Sequence, residues 1–430
     1  IALTAIHSVD ARRRKKKKKK GKNRNKPTML PTTAAPTSLP TKAPTVHTPV
    51  VAVASIEFNK DSKTEMVYGN YPRWLNDAGA KVIRIPMDAT HTELKELLSK
   101  VNMVLFQGAS KPGKRYINMI YFITNYILKQ FKDSGNDGTS VVPIVGICYG
   151  QQRVMAAISK RRSIIKSFKA RNISLPVHLY TQEDEEKSPE EPDDGYVDEP
   201  TGEVEEPIAV DLKSMKHDFD DNLGANGQDL PSEPKPETEE ERIKRERREV
   251  ASRHSILDHL SDEDLATLVE TPSTHHNHFY GISPDVIKKN RRLQEHIEVV
   301  ATSMTPHEKK NKQREFITIA QGKNGLPVYL FQSHPETSKD FGDGFKSQRV
   351  NEKFAEFLVR RARLNKNRWP DEEELESLLL ENTVEGLTPK GQYLWFLPGS
   401  KNKKEEFLLG DGDEDYFEFV DSDTNDEESR

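Results

Sequence analysis

Residues 141–152 read Val141-Val142-Pro143-Ile144-Val145-Gly146-Ile147-Cys148-Tyr149-Gly150-Gln151-Gln152, a β-branched apolar run that breaks at a Gly-x-Cys-x-Gly step. A short continuous apolar run of this kind suits a strand buried on both faces, as in parallel sheets covered by helices. The glycines two positions either side of Cys148 permit a sharp strand-to-helix turn that lifts the thiol above the C-terminal edge of a sheet. Such a turn sets the thiol at a helix N-terminus, where partial positive charge favours thiolate, and aims the Tyr149 amide at the place where an oxyanion would form. The competing reading is a buried Cys packing as a small hydrophobe.

Working outward, strands and helices alternate at short spacing. Val50 to Ile56 reads as a buried strand, Tyr71 to Ala78 as the end of an amphipathic helix closed by Gly79, and Lys81 to Ile85 as the next strand. Thr92 to Lys100 is helical by composition, with Thr90 or Thr92 as cap, and Asn102 to Phe106 is a third strand ending at Gly108. A long apolar-periodic helix lies within Tyr116 to Phe131, and Val141 to Val145 is the fourth strand. This order predicts an α/β fold with a central, mostly parallel sheet. Packing accounts for Trp74 and Phe106 on these elements.

A Cys nucleophile needs a base. Among the 13 His, His334 follows the strand-like Val328-Tyr329-Leu330-Phe331-Gln332 directly, in Ser333-His334-Pro335-Glu336. Glu336 is placed to hold the imidazole tautomer, so Cys148, His334 and Glu336 form the candidate constellation at the C-terminal ends of strands. His275, His276 and His278 suggest metal, and a strand would put His276 and His278 on one face. No carboxylate or Cys in the segment completes a site, so a structural or substrate-lining role is favoured and no metal is expected.

The single Cys in 430 residues excludes an intramolecular disulfide framework and a Cys-rich zinc site. With 31% charged and 34% apolar residues the chain is too polar for one uniformly packed globule, and its net charge of −4 averages blocks of opposite sign. Residues 1–49 read as a signal-like remnant ending at Val9-Asp10-Ala11, a polybasic arm from Arg12 to Lys26, and a Pro/Thr-rich linker. The arm lacks interleaved aromatics, so nonspecific contact with anionic surfaces is expected, and no specific nucleic acid. Residues 181–250 read as an acidic, Pro-broken, low-complexity insertion into a catalytic domain spanning 50–420, and 421–430 as an acidic tail, these segments and the arm being disordered by composition. The leader-like start, the stalk-like linker and the sequon Asn172-Ile173-Ser174 point to a secreted protein or to the lysosomal or vacuolar lumen.

Gly146-Ile147-Cys148-Tyr149-Gly150-Gln151-Gln152 followed by Ser333-His334-Pro335-Glu336 resembles the class I glutamine amidotransferase superfamily. Within it, Tyr71 to Val82, Asn102 to Gly108, Asn277 to Ser283 and Asn351 to Ala362 resemble segments of the γ-glutamyl hydrolase family, also called folylpoly-γ-glutamate carboxypeptidases, with coverage of about 50–180 and 251–420. The resemblance implies a flavodoxin-like three-layer fold and cysteine-dependent hydrolysis of γ-glutamyl amides without cofactor or metal. It also implies a small γ-glutamyl substrate and a homodimer. By position it assigns Cys148 as nucleophile, His334 as general base and acid, Glu336 as orienter, Gly108 and Tyr149 as oxyanion donors, and His278 and Ala109 as substrate-binding residues. Two departures stand out: Gln107-Gly108-Ala109 replaces the family's Pro-Gly-Gly, and Tyr149-Gly150-Gln151-Gln152 looks more like the glutaminases. A glutaminase acting with a separate synthetase, or a non-catalytic secreted member, are the alternatives.

Overall fold

The computed structural model describes residues 47–57, 65–110, 112–186, 237–306, 313–337, 344–382, 384–387 and 393–397. The polybasic arm, most of the acidic insertion and the acidic tail lie outside the described residues.

The first half carries β1 (Val50–Ala54), β2 (Ile56–Glu57), β3 (Glu65–Tyr68), α1 (Asn70–Asp77), β4 (Lys81–Ile85), α2 (His91–Lys100), β5 (Met103–Phe106), α3 (Lys114–Asp133), β6 (Ile144–Ile147) and α4 (Tyr149–Ser159). Next come β7 (Lys166–Leu175), β8 (His178–Leu179), α5 (Gln182–Glu186), α6 (Glu239–Ser252), α7 (Ser255–Asp258), α8 (Asp262–Glu270) and β9 (Thr274–Gly281). The remainder is α9 (Asp285–Lys289), α10 (Arg291–His296), β10 (Ile297–Met304), β11 (Glu315–Gly322), β12 (Val328–Phe331), α11 (Phe345–Leu364), α12 (Glu372–Leu378), β13 (Val384–Leu387) and β14 (Tyr393–Leu397).

An eight-stranded sheet runs β4-β1-β5-β6-β12-β11-β10-β8. Its first five strands are mutually parallel, and β11, β10 and β8 continue it antiparallel. The central parallel strands β1, β5, β6 and β12 are buried at every position because both faces are covered. Along β1, Val50, Ala52 and Ala54 join a core with Leu94, Ile120, Ile123 and Met155 of α2, α3 and α4. Val51 and Val53 join the opposite core with Trp74, Leu75, Phe354 and Leu358 of α1 and α11. The result is the three-layer, flavodoxin-like α/β arrangement. Each fully buried Val, Leu, Ile or Phe contributes roughly 1.5–3 kcal/mol.

Local details depart from the sequence reading in three places. The strand expected at Val141–Val145 begins at Ile144, because Pro143 has no N–H to give the ladder and only its carbonyl is used, accepting from Val104. The run from Val50 to Ile56 splits at Ser55, whose hydroxyl donates to the Ile85 carbonyl at 2.8 Å and also to Glu65. The interval assigned to the insertion, 181–250, contains two described helices, α5 and most of α6. In α6 a capping box joins Thr238 and Glu241, Arg242 pairs with Glu239 and Glu246, and Arg247 and Arg248 reach Glu270 and Asp262. Spacing of opposite charges at i+3 and i+4, not composition, decides that helix. At α2 the cap is Thr90, through a capping box with Glu93. Among the described residues no helix is long and apolar enough to cross a membrane.

Candidate active site

Cys148 sits between β6 and α4 with φ 52° and ψ −107°, a conformation that non-glycine residues adopt only under constraint. The constraint is visible on both sides. A Cβ on Gly146 would lie 2.9 Å from the Gln151 amide nitrogen, and one on Gly150 would lie 2.2 Å from the Phe106 carbonyl oxygen. The turn therefore closes only with hydrogen at those two positions. The Cys148 amide donates to the Phe331 carbonyl at 2.6 Å, extending the β6–β12 pairing up to the thiol. The sulfur-bearing side chain is buried, 7% exposed.

β12 delivers His334 from the neighbouring strand. Its backbone amide donates to the His275 carbonyl at 2.8 Å, and its Nδ1 lies 2.8 Å from Glu336 Oε1. Burial pushes the imidazole's pKa down, but the charges of Glu336 and Cys148 outweigh it and hold the pKa well above the ordinary histidine value. The other ring nitrogen, Nε2, is buried, and a side-chain interaction with Cys148 is among the influences that raise the ring's pKa. A methyl group at Gly108 would stand 3.0 Å from His334 Cε1, 3.1 Å from the Tyr71 hydroxyl and 3.3 Å from Cys148 Cβ. Four elements thus converge on one small space, and Gly108 lets the loop approach that closely.

The loop after β5 is held from within. The Gln107 side chain donates to the Ala54 carbonyl at 2.8 Å and accepts from the Tyr68 amide at 3.0 Å, while the Tyr116 hydroxyl donates to the Gln107 carbonyl at 2.7 Å. Ala109 follows, half-buried against the Tyr116 core. The Gly108 amide, expected as an oxyanion donor, donates to the Tyr71 hydroxyl at 2.8 Å. Tyr71, fully buried on α1, also interacts with Glu336, and burial first, then the Glu336 charge, raises its pKa well above the phenol value. A buried amide must find an acceptor, and in this arrangement the phenol is that acceptor. Sequence reasoning assigned Tyr71 only to a helix; the 37-residue separation from Gly108 left no local signal. Tyr149, by contrast, opens α4, where first-turn amides have no intrahelical partner.

The histidine strand is β9, and its buried side carries His276 and His278, as alternation requires. Thr274 Oγ1 donates to the Leu175 carbonyl at 2.7 Å and lies 3.0 Å from His276 Nε2, while His276 Nδ1 lies 3.1 Å from His278 Nε2. Because the Thr274 proton is committed, His276 donates from Nε2 and accepts at Nδ1 from His278. Both rings stack edge-on against Phe316. Burial foremost drops His278 to about 3, His276 well below its ordinary value, and His275, beside His334, to about 4. All three are neutral at pH 7. Among the described residues no group of three or more His, Cys, Asp or Glu could hold a metal ion.

Gln151 and Gln152, read as glutaminase-like, tie the elbow to these strands: Gln151 donates to the Ile317 carbonyl at 3.2 Å, Gln152 to the Tyr280 carbonyl at 2.6 Å and to Gln332 at 3.1 Å. Their observed partners are β11, the end of β9 and the end of β12.

No family model matches the chain. Curated proteins do. γ-Glutamyl hydrolase B of Dictyostelium discoideum is 22% identical over 383 residues, which is 84% of this chain and 87% of that protein. The protein named probable γ-glutamyl hydrolase 3 of Arabidopsis thaliana is 21% identical over 319 residues, 73% of this chain and 68% of its own. Among solved structures, one described as a GMP synthase subunit from Thermoplasma acidophilum aligns with 74% of this chain and 94% of its own at 13% identity and a TM-score of 0.35. Over most of its length, then, the chain is similar to curated γ-glutamyl hydrolases.

Proposed function

We propose that this protein hydrolyses γ-glutamyl amide bonds, in poly-γ-glutamyl folates or similar conjugates, through a thioester on Cys148. The observation that carries the reading is a buried thiol on a strained strand-to-helix turn beside an imidazole whose far nitrogen is held 2.8 Å from a carboxylate. In this scheme the Cys148 thiolate attacks the γ-carbonyl carbon and the carbonyl π electrons move to oxygen. The Tyr149 amide at the start of α4 stabilises that oxyanion; one such donor is worth roughly 2.7–4 kcal/mol of barrier. Gly108 contributes a second donor when its amide exchanges the Tyr71 oxygen for the substrate's, and Ala109 and His278 line the γ-glutamyl group. As the C–N bond breaks, the His334 imidazolium gives its proton to the leaving amine. Water then attacks the thioester, His334 accepts its proton, and the C–S bond breaks to release the acid and restore the thiolate. The reading carries with it a secreted or lysosomal or vacuolar location and a homodimer.

The test is release of glutamate from γ-linked against α-linked di-glutamyl substrates. γ-Linked turnover is expected, lost in Cys148→Ala with the unfolding transition retained. Absence of γ-linked turnover by protein whose Cys148 titrates with an alkylating agent overturns the reading. Glutamine hydrolysis seen only with an added synthetase establishes the glutaminase instead.

A further inference from the structure

A γ-linked glutamate oligomer carries a free carboxylate on every residue, so a site for it needs positive charge beyond the reacting bond. The groups around Cys148 supply little. His275 and His278 are pushed down to about 4 and about 3, and Tyr68, Tyr71 and Tyr116 are phenols whose pKa values burial raises. Positive charge appears one helical turn further along α4. Arg153 follows Tyr149 at i+4, about 6 Å of axis and roughly the reach of one γ-linked residue. Its guanidinium carbon lies 4.6 Å from the centre of the Tyr149 ring, and that ring stacks with Tyr116, centres 6.4 Å apart, which hydrogen-bonds the Gln107 carbonyl next to Gly108. Packed rings thus lead from the loop beside the nucleophile to the cation.

Arg153 is half-buried, and its Nε is out of water with no hydrogen-bond partner. Among the described residues it pairs with no carboxylate; its neighbours are the Tyr149 and Tyr121 phenols and, near the same two hydroxyls, the Arg162 guanidinium. A neutral phenol does not neutralise the Arg153 guanidinium, and a Tyr hydroxyl donates to an anion beside an arginine.

We propose that Arg153, with Tyr149 and Tyr121 where α4 packs against α3, is an anion subsite that takes the carboxylate of the γ-glutamyl residue neighbouring the scissile bond. The proposal rests on the γ-glutamyl reading above and narrows it to oligomers rather than glutamine, which has no second carboxylate.

The experiment measures binding by calorimetry in the Cys148→Ala background, where hydrolysis plays no part, using tetra-γ-glutamate and γ-glutamyl methylamide as probes. Arg153→Gln is expected to weaken tetra-γ-glutamate about tenfold more than the methylamide, the usual scale of one lost charge-assisted contact. Arg153→Lys, which keeps the charge without the planar fork, should recover part of the difference. Equal weakening of both ligands, or unchanged tetra-γ-glutamate affinity, overturns the subsite. Should Arg153→Gln fail to fold, the protein carrying Arg153 decides: tetra-γ-glutamate must lose affinity with added salt more steeply than the methylamide, and equal slopes overturn the proposal. Selective loss of tetra-γ-glutamate binding supports the subsite even where the wild-type protein releases no glutamate, a result that removes only the hydrolytic reading.

Discussion

Replacing Glu336 by Gln removes one charge from the site and leaves its shape. The carboxylate oxygen lies 2.8 Å from His334 Nδ1, its side chain is only 2% exposed, and its charge is the largest influence holding the imidazole's pKa up against burial. Two unit charges about 4 Å apart at an effective dielectric near 20 attract by roughly 4 kcal/mol. Residual hydrogen bonding from the amide oxygen reduces the net loss, and the imidazole's pKa falls back toward its ordinary value. The sign follows from which form works in the proposed scheme: there the imidazolium protonates the leaving amine and disappears as pH rises, so the alkaline limb of kcat/KM moves to lower pH in the variant. The same raised pKa stabilises the fold fully below the unfolded histidine value near 6.5, and that stability is lost as pH rises through the folded value. A substrate-free assay is available because Cys148 is the only thiol in the chain. The rate of its alkylation by iodoacetate, an anion drawn by the imidazolium, should show the same displaced alkaline limb. An alkaline limb that stays in place in both assays, in a variant with normal unfolding, would refute the assignment of Glu336 as the source of the raised His334 pKa.

Two further outcomes follow from close packing and from burial. Gly150→Ala puts a Cβ 2.2 Å from the Phe106 carbonyl oxygen, a backbone atom of a central strand that cannot yield, so the elbow shifts by about 1 Å and kcat/KM falls about a hundredfold or more; near-normal activity contradicts the close approach. Protonation of His275 and His278 is opposed by the fold, since their pKa values are held down at about 4 and about 3. Stability is therefore complete above pH 6.5 and declines as pH falls toward those values, by up to about 1.4 kcal/mol per pH unit for each; denaturant unfolding followed from pH 7 to pH 4 measures it, and a flat profile contradicts neutral buried rings.

Much of the fold was legible because its determinants are local. Val50 to Ala54 and Met103 to Phe106 declare themselves as doubly buried strands by apolar content alone, and Lys81 to Ile85 as a strand by its β-branched residues. The short links between them leave little choice but parallel pairing with helices across both faces. Where one residue's backbone chemistry intervenes, at Pro143 or Ser55, strand ends move by two or three positions. The helix α6 escaped notice because its run of Glu and Arg has the overall composition of a solvated segment, although its i+4 pairs and its Thr238–Glu241 box were present in the sequence.

The site divides along the same line. By itself the sequence determined the elbow, since Gly-x-Cys-x-Gly after an apolar run admits one sharp turn, and it determined that His334 and Glu336 share one strand end, since only Pro335 separates them. It could not determine that Tyr71 takes the Gly108 amide, that three neutral histidines and Phe316 share one packed layer, or that Arg153 stands beside Tyr149 and Tyr121 without a carboxylate. Those are contacts between segments far apart in the chain. They depend on how strands register and helices pack, and on the requirement that each buried donor find an acceptor in whatever surface the fold brings to it.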